Sequence, residues 1–148
     1  MQTVFDAFGF SLGVKRGAEV QATASATFQQ GVISFAYGGV NAIMTWTPKE
    51  EANSLELVSG TYGLLQSNQQ SLNFETITDG EIIAGGEPGV FLGFKAVDAT
   101  GSARGGLIGS WTCPVSDTSF TLTLTGTDTA LVQVRFDELI DNFRCSSP

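Results

Sequence analysis

A chain of 148 residues with 42% hydrophobic and 15% charged side chains reads as one globular domain over residues 1–148 and excludes an intrinsically disordered chain. A net charge of −8, from seven Lys and Arg against fifteen Asp and Glu, argues against nucleic acid or anionic lipid as partner, because phosphate binding takes clustered cations. The chain has no histidine, which removes the commonest general base, the Ser-His-Asp and Cys-His arrangements and most zinc and transition-metal sites.

The N-terminal residues Met1 to Phe10 lack a basic region and a long apolar run, so they do not read as a signal peptide. Phe8-Gly9-Phe10-Ser11-Leu12-Gly13-Val14 alternates in period two, a strand signature. Val20, Ala22, Ala24, Ala26 and Phe28 alternate likewise. The runs Val32–Tyr37 and Val40–Trp46 flank Gly38-Gly39, which predicts a hairpin. Thr47-Pro48-Lys49-Glu50 has the form of a capping box with Pro at the first helical position. It predicts a helix over most of 50–67, with Leu55, Val58, Tyr62 and Leu65 on one face and Gly60 and Gly63 as weak points.

Strands resume at Leu72–Thr78 and Glu81–Ala84, and Gly85-Gly86-Glu87-Pro88-Gly89 supplies turn chemistry. Val90–Val97 and Gly106–Cys113 read as strands joined by the loop Asp98–Gly105, and Ser119–Thr125 as a further strand. Val132, Phe136, Leu139 and Phe143 then mark an amphipathic helix, with Asp128 near its start and Arg144 near its end to suit the macrodipole. No apolar run approaches the roughly 18 residues that a membrane-spanning helix needs. The fold class is α+β: an antiparallel sheet of about seven to eight strands with two main helices packed on it.

Little in the chain carries chemistry. Cys113 and Cys145 admit three readings: a disulfide, two free buried thiols, or a reactive pair. The absence of a C-x-x-C spacing and of a neighbouring base disfavours the last. A disulfide would imply an oxidising compartment. The carboxylates Glu75, Asp79, Glu81, Glu87 and Asp98 are the candidates for acid–base work. Glu75, Asp79 and Glu81 share a parity, which puts them on one solvated face rather than in a catalytic pair. The glycine clusters Gly85-Gly86 and Gly101–Gly106 match neither a P-loop nor a dinucleotide fingerprint and read as hairpin turns. Phe28, Phe35, Phe74, Phe91, Phe94 and Phe120 fall at core positions of strands, and Trp46 and Trp111 are expected at the boundary of sheet and helix.

The order of hairpin strands, Trp46-Thr47-Pro48 into a first helix, a β meander through Trp111-Thr112-Cys113 and a last helix ending Phe143-Arg144-Cys145, with Phe8-Gly9-Phe10-Ser11 near the start, resembles the PsbP-type superfamily. That superfamily is named for the extrinsic subunit of photosystem II and includes small bacterial and archaeal domains. The resemblance implies a PsbP-like sandwich and a non-enzymatic accessory or binding domain outside the cytoplasm, secreted or attached to the cell surface, with a cytoplasmic location as the alternative. With no histidine to match a metal-binding position, a photosynthetic role is not carried over. The expectation is therefore a domain that contacts a protein partner as monomer or dimer, with no catalytic residue, no metal and no cofactor. Two alternatives stand beside it: a carrier of a small apolar ligand in a cavity between sheet and helix, and, behind that, a carboxylate-based hydrolase.

Overall fold

Hairpin geometry dictates most of the architecture. The computed structural model describes residues 3–4, 10–14, 19–22, 30–48, 53–114 and 117–145. Its elements are β1 (Thr3–Val4), β2 (Phe10–Val14), β3 (Glu19–Ala22), β4 (Gly31–Tyr37), β5 (Val40–Pro48), α1 (Ser54–Asn68), β6 (Asn73–Ala84), β7 (Glu87–Val97), β8 (Ala103–Cys113), β9 (Thr118–Gly126), α2 (Thr129–Asp141) and β10 (Phe143–Cys145). Seven strands form one sheet in the order β3-β4-β5-β9-β8-β7-β6, and β1-β2-β10 form a small second sheet. Every pairing among the described residues is antiparallel. The α+β class expected from the sequence is what the chain adopts. The predicted strand positions Phe8, Gly9, Ala24, Ala26 and Phe28, and Lys49-Glu50 of the predicted cap, lie outside the described residues.

The two helices cover opposite faces of the main sheet. On one face, Val40, Ala42, Met44 and Trp46 of β5 and Phe120, Leu122 and Leu124 of β9 meet Val132, Phe136, Leu139 and Ile140 of α2. Gly109 makes room for this helix, since a Cβ there would sit 2.6 Å from the Phe136 ring. The small sheet extends the same core through Phe10, Leu12 and Phe143. On the other face, Val58 of α1 packs on Phe94 of β7 and Ile108 of β8, with Tyr62, Leu65 and Phe74 partly buried around them. Burial of one large apolar side chain contributes roughly 1.5–3 kcal/mol. α2 buries four and α1 only Val58, so α1 is the more weakly anchored helix.

The Gly38-Gly39 hairpin forms as expected, with φ of 56° and 94°, the paired positive values of a type I′ turn. It tucks under α2, where Arg135 Nε donates to the Gly38 carbonyl at 3.0 Å. Asp128 caps α2 by accepting from the amides of Ala130 and Leu131 at 3.1 and 3.2 Å.

Several expectations need correction. Thr47 and Pro48 do not start a helix: they pair with Ser119 and Thr118 as the end of β5, because the β9 ladder satisfies their backbone. The working cap is Asn53. Its Oδ1 accepts the Glu56 amide at 2.9 Å, and its own amide donates to Glu56 Oε1 at 3.3 Å, a complete capping box. Leu55, in the first turn, is 64% exposed rather than on the packed face. α2 stops at Asp141, where Asn142 caps it with Nδ2 donating to the Glu138 carbonyl at 2.7 Å. Phe143 therefore belongs to β10, paired with Leu12, and continues the apolar face as a strand residue. Arg144 still serves the helix end, with Nη1 donating to the Asp141 carbonyl at 2.7 Å.

β8 begins at Ala103, earlier than expected, so Ala103, Arg104 and Gly105 are strand residues rather than loop. The β6–β7 turn is only Gly85-Gly86, and Glu87, Pro88 and Gly89 already belong to β7. The ladder to β8 starts at Gly89, after the proline that has no N–H to donate. Trp46 and Trp111 pack where the small sheet meets the main sheet, in the same core as α2. Trp46 lies 5.2 Å from the Phe10 ring, and Trp111 lies 4.9 Å from the Phe143 ring.

Candidate binding cleft between α1 and the sheet

Cys113 ends β8 and Cys145 ends β10, and a disulfide joins them with their Cα atoms 5.7 Å apart. Of the three readings of the thiols the first is the structural one, and no described cysteine is free. The bond ties the small sheet to the main sheet.

The five carboxylates are scattered. A bulge between Thr76 and Thr78 inserts one residue into β6 and reverses its parity. Glu75 pairs with Lys95 on the α2 side, while Asp79 and Glu81 pair with Leu92 and Val90 on the α1 side, so the expected single face is two faces. All three are exposed. Glu87 opens β7 and Asp98 follows its end, about 35 Å away along an extended strand. Asp98 builds the β7–β8 turn. Its Oδ1 accepts the Thr100 hydroxyl at 2.7 Å, the Thr100 amide at 2.9 Å and the Ser102 amide at 3.0 Å. The Thr100 hydroxyl, with the Thr100, Ser102 and Gly101 amides, holds this carboxyl below its usual range.

A cleft opens on the α1 face, beside the turn built by Asp98. Antiparallel register lays out its floor. Asn41 of β5, Thr125 of β9, Gly106 of β8 and Phe94 of β7 form one row across the sheet, and Arg104 and Ala96 form the next. The Phe94 ring lies across Gly106, in the place that any side chain there would take. Tyr62, Phe74 and Phe94 then form an aromatic group, with ring centroids 5.5 to 6.0 Å apart. Between Phe74, Phe94, Leu65 and Leu72 on one side and Ile43 and Thr123 on the other lies a cavity of about 140 Å³. It opens into a shallower polar mouth lined by Asn68, Ser71, Asp98 and Ser102, and Gln69, Leu72, Ala96 and Arg104 line both.

Arg104 stands where the apolar cavity meets the polar mouth. It is exposed and makes no ion pair or side-chain hydrogen bond among the described residues. The sequence gives only a weak sign of it, a lone arginine among small residues that reads as turn. The sequence anticipates a cavity here but not its cause. Gly60 and Gly63 point to open space on the outer side of α1, and the gap arises where the end of the helix leaves the sheet.

No family model matches the chain, and no curated protein sequence matches it. Its fold is nonetheless that of solved proteins. Cyanobacterial PsbP (CyanoP) from Synechocystis sp. PCC 6803 superposes with a TM-score of 0.68 at 12% identity, over 93% of this chain and 86% of that one. LpqN, described as involved in cell envelope biogenesis of Mycobacterium tuberculosis, superposes with a TM-score of 0.58 at 15% identity, over 93% of this chain and 83% of that one. The PsbP-like fold expected from the Trp46-Thr47-Pro48, Trp111-Thr112-Cys113 and Phe143-Arg144-Cys145 motifs is the one observed.

Proposed function

We propose that this chain is a non-catalytic, extracytoplasmic binding domain that docks a protein partner on the α1 side of its sheet. One observation carries the reading. α1 packs on β7, β8 and part of β9, and Ser34, Ala36, Asn41 and Ile43 of β4 and β5 lie exposed beside it, Ile43 at 46%. A flat sheet surface with one exposed aliphatic among small polar residues suits protein contact, where an apolar centre is rimmed by polar groups. The Cys113–Cys145 disulfide supports an oxidising compartment. The likeness of fold to LpqN, described as involved in cell envelope biogenesis, is in keeping with that location. No described helix is long and apolar enough to cross a membrane. The complete lack of histidine in the chain supports a non-catalytic role.

The test is site-specific photo-crosslinking in the native cell. A photoreactive residue at Ala36 should trap one discrete protein, and the same residue at Asp137 on the exposed side of α2 should not. Equal labelling at both positions, or none at either, counts against the docking reading. Alkylation of thiols in intact cells tests the compartment, since both cysteines should resist modification until a reductant is added.

A second reading is favoured by the cleft: the domain carries a small, largely apolar ligand between α1 and the sheet. A cavity of about 140 Å³, walled by Phe74, Phe94, Leu65 and Ile43 with Asn41, Gln69 and Arg104 among its polar lining, matches in size cavities that accept a ligand the size of benzene. This reading needs no partner and is tested below.

A further inference from the structure

The cleft holds one feature that an apolar carrier does not need. Arg104 lines both the cavity and its mouth, is exposed, and has no counter-ion among the described residues. We propose that the cleft binds a small carboxylate bearing a single ring-sized apolar group, with the ring against Phe74 and Phe94 and the carboxylate on the Arg104 guanidinium. The inference rests on the ligand-carrier reading and specifies its ligand.

Three arguments lead to that class. The first is size. A cavity of about 140 Å³ takes one aromatic ring or a short branched chain and is too small for a long acyl chain. Aromatic walls suit a ring, which stacks offset or edge-on against Phe74 and Phe94. The second is charge. A planar guanidinium donates two parallel hydrogen bonds to a carboxylate. One arginine balances one negative charge, which a carboxylate carries. A phosphate monoester would bring a second charge beside Asp98, which lines the same mouth. Asp98 forms no ion pair with Arg104 among the described residues, and its Oδ1 accepts from Thr100 and Ser102. The third is reach. Arg104 and Ala96 are directly paired, and Ala96 lies next but one to Phe94 on the same face, so the backbone rows of Arg104 and Phe94 are neighbours, about 7 Å apart along the strand. Both side chains line the same cavity, which suits a ligand short enough to touch both.

The net charge of −8 does not prevent this, because charges beyond about 8 Å are screened at physiological salt. At the mouth the near charges are Arg104 and Asp98.

The experiment is calorimetric and NMR titration of the whole domain with 3-phenylpropionate and with its uncharged counterpart 3-phenylpropan-1-ol, on the wild type and on Arg104→Gln. The substitution removes an exposed, unpaired group, and a matching melting temperature will show that the fold is kept. The acid should bind the wild type and shift the Leu65, Phe74 and Phe94 resonances. Arg104→Gln should weaken the acid by about tenfold, the usual loss of one charge-assisted pair, and leave the alcohol unaffected. If the alcohol binds as tightly as the acid, or Arg104→Gln changes neither, the carboxylate assignment falls while the carrier reading stands. If neither compound binds at millimolar concentration, both fall.

Discussion

Cys145, the last residue of β10, is bonded to Cys113, the last residue of β8, and this is the only disulfide between the two sheets among the described residues. The closed loop spans 32 residues. In the chain-entropy model a loop of that length contributes roughly 3–4 kcal/mol by restricting the unfolded chain. The Cys113→Ser, Cys145→Ser double variant should therefore melt about 10 °C below the wild type by circular dichroism, at about 2–4 °C per kcal/mol for a domain of this size. A melting temperature that stays put, with or without reductant, would exclude a stabilising bond.

The start of α1 is a second point of test. Asn53→Ala removes the side-chain acceptor for the Glu56 amide and should cost about 1 kcal/mol, read as a lower urea midpoint with an unchanged slope. Asn53→Asp keeps the acceptor and should be close to neutral. An alanine variant as stable as the wild type would mean that the helix starts elsewhere.

Glycines at different places should answer alanine in opposite ways. Gly60 and Gly63 lie within α1, and a methyl group added at either would meet nothing within 4 Å. Gly60→Ala and Gly63→Ala should therefore each stabilise by about 0.5–1 kcal/mol. Gly38 has φ of 56° and Arg135 packed against it, so Gly38→Ala should destabilise by about 1–3 kcal/mol. Urea melts of the three variants check both signs together. A stabilised Gly38→Ala protein would contradict the turn geometry.

Asp98 gives the β7–β8 turn a dependence on acid. Its carboxyl is held low chiefly by the Thr100 hydroxyl, so its contribution to the turn is complete above the ordinary aspartate value of about 3.9. That contribution is lost as pH falls through the lower folded value. The Thr100 and Ser102 amide resonances should move in this acidic range and not near neutrality. In Asp98→Asn the transition should disappear. A turn that titrates near pH 7 would refute the assignment.

Much of the fold can be read from local chemistry. Gly38-Gly39 between two β-rich runs marks a hairpin because few other residues accept two successive positive φ values. Val132, Phe136 and Leu139 mark α2 because their spacing matches the helical period. Local signals mislead where a tertiary partner overrides them. Thr47-Pro48 looks like a helix start, but β9 lies alongside and pairs with it. Phe143 keeps the helical spacing of α2, but β2 offers it a strand partner at Leu12. The β6 bulge at Ile77 carries no Gly or Pro to announce it, so parity alone assigns Glu75 to the wrong face. The cleft is less visible still. Phe74, Phe94 and Ile43 come from three strands, and only the register of β5, β9, β8 and β7 shows that they surround one space with Arg104 at its rim.

Placing α1 and α2 on opposite sides of one sheet separates two tasks. The deep core and the sulfur crosslink lie with α2, while the space under α1 borders, besides buried Phe94 and Ala96, the exposed or half-buried Ile43, Leu72 and Thr125. Ile43, Leu72 or Thr125 can therefore be exchanged to reshape that space with small thermodynamic consequence. One face of the sheet can thus change its outline while the opposite face keeps the frame.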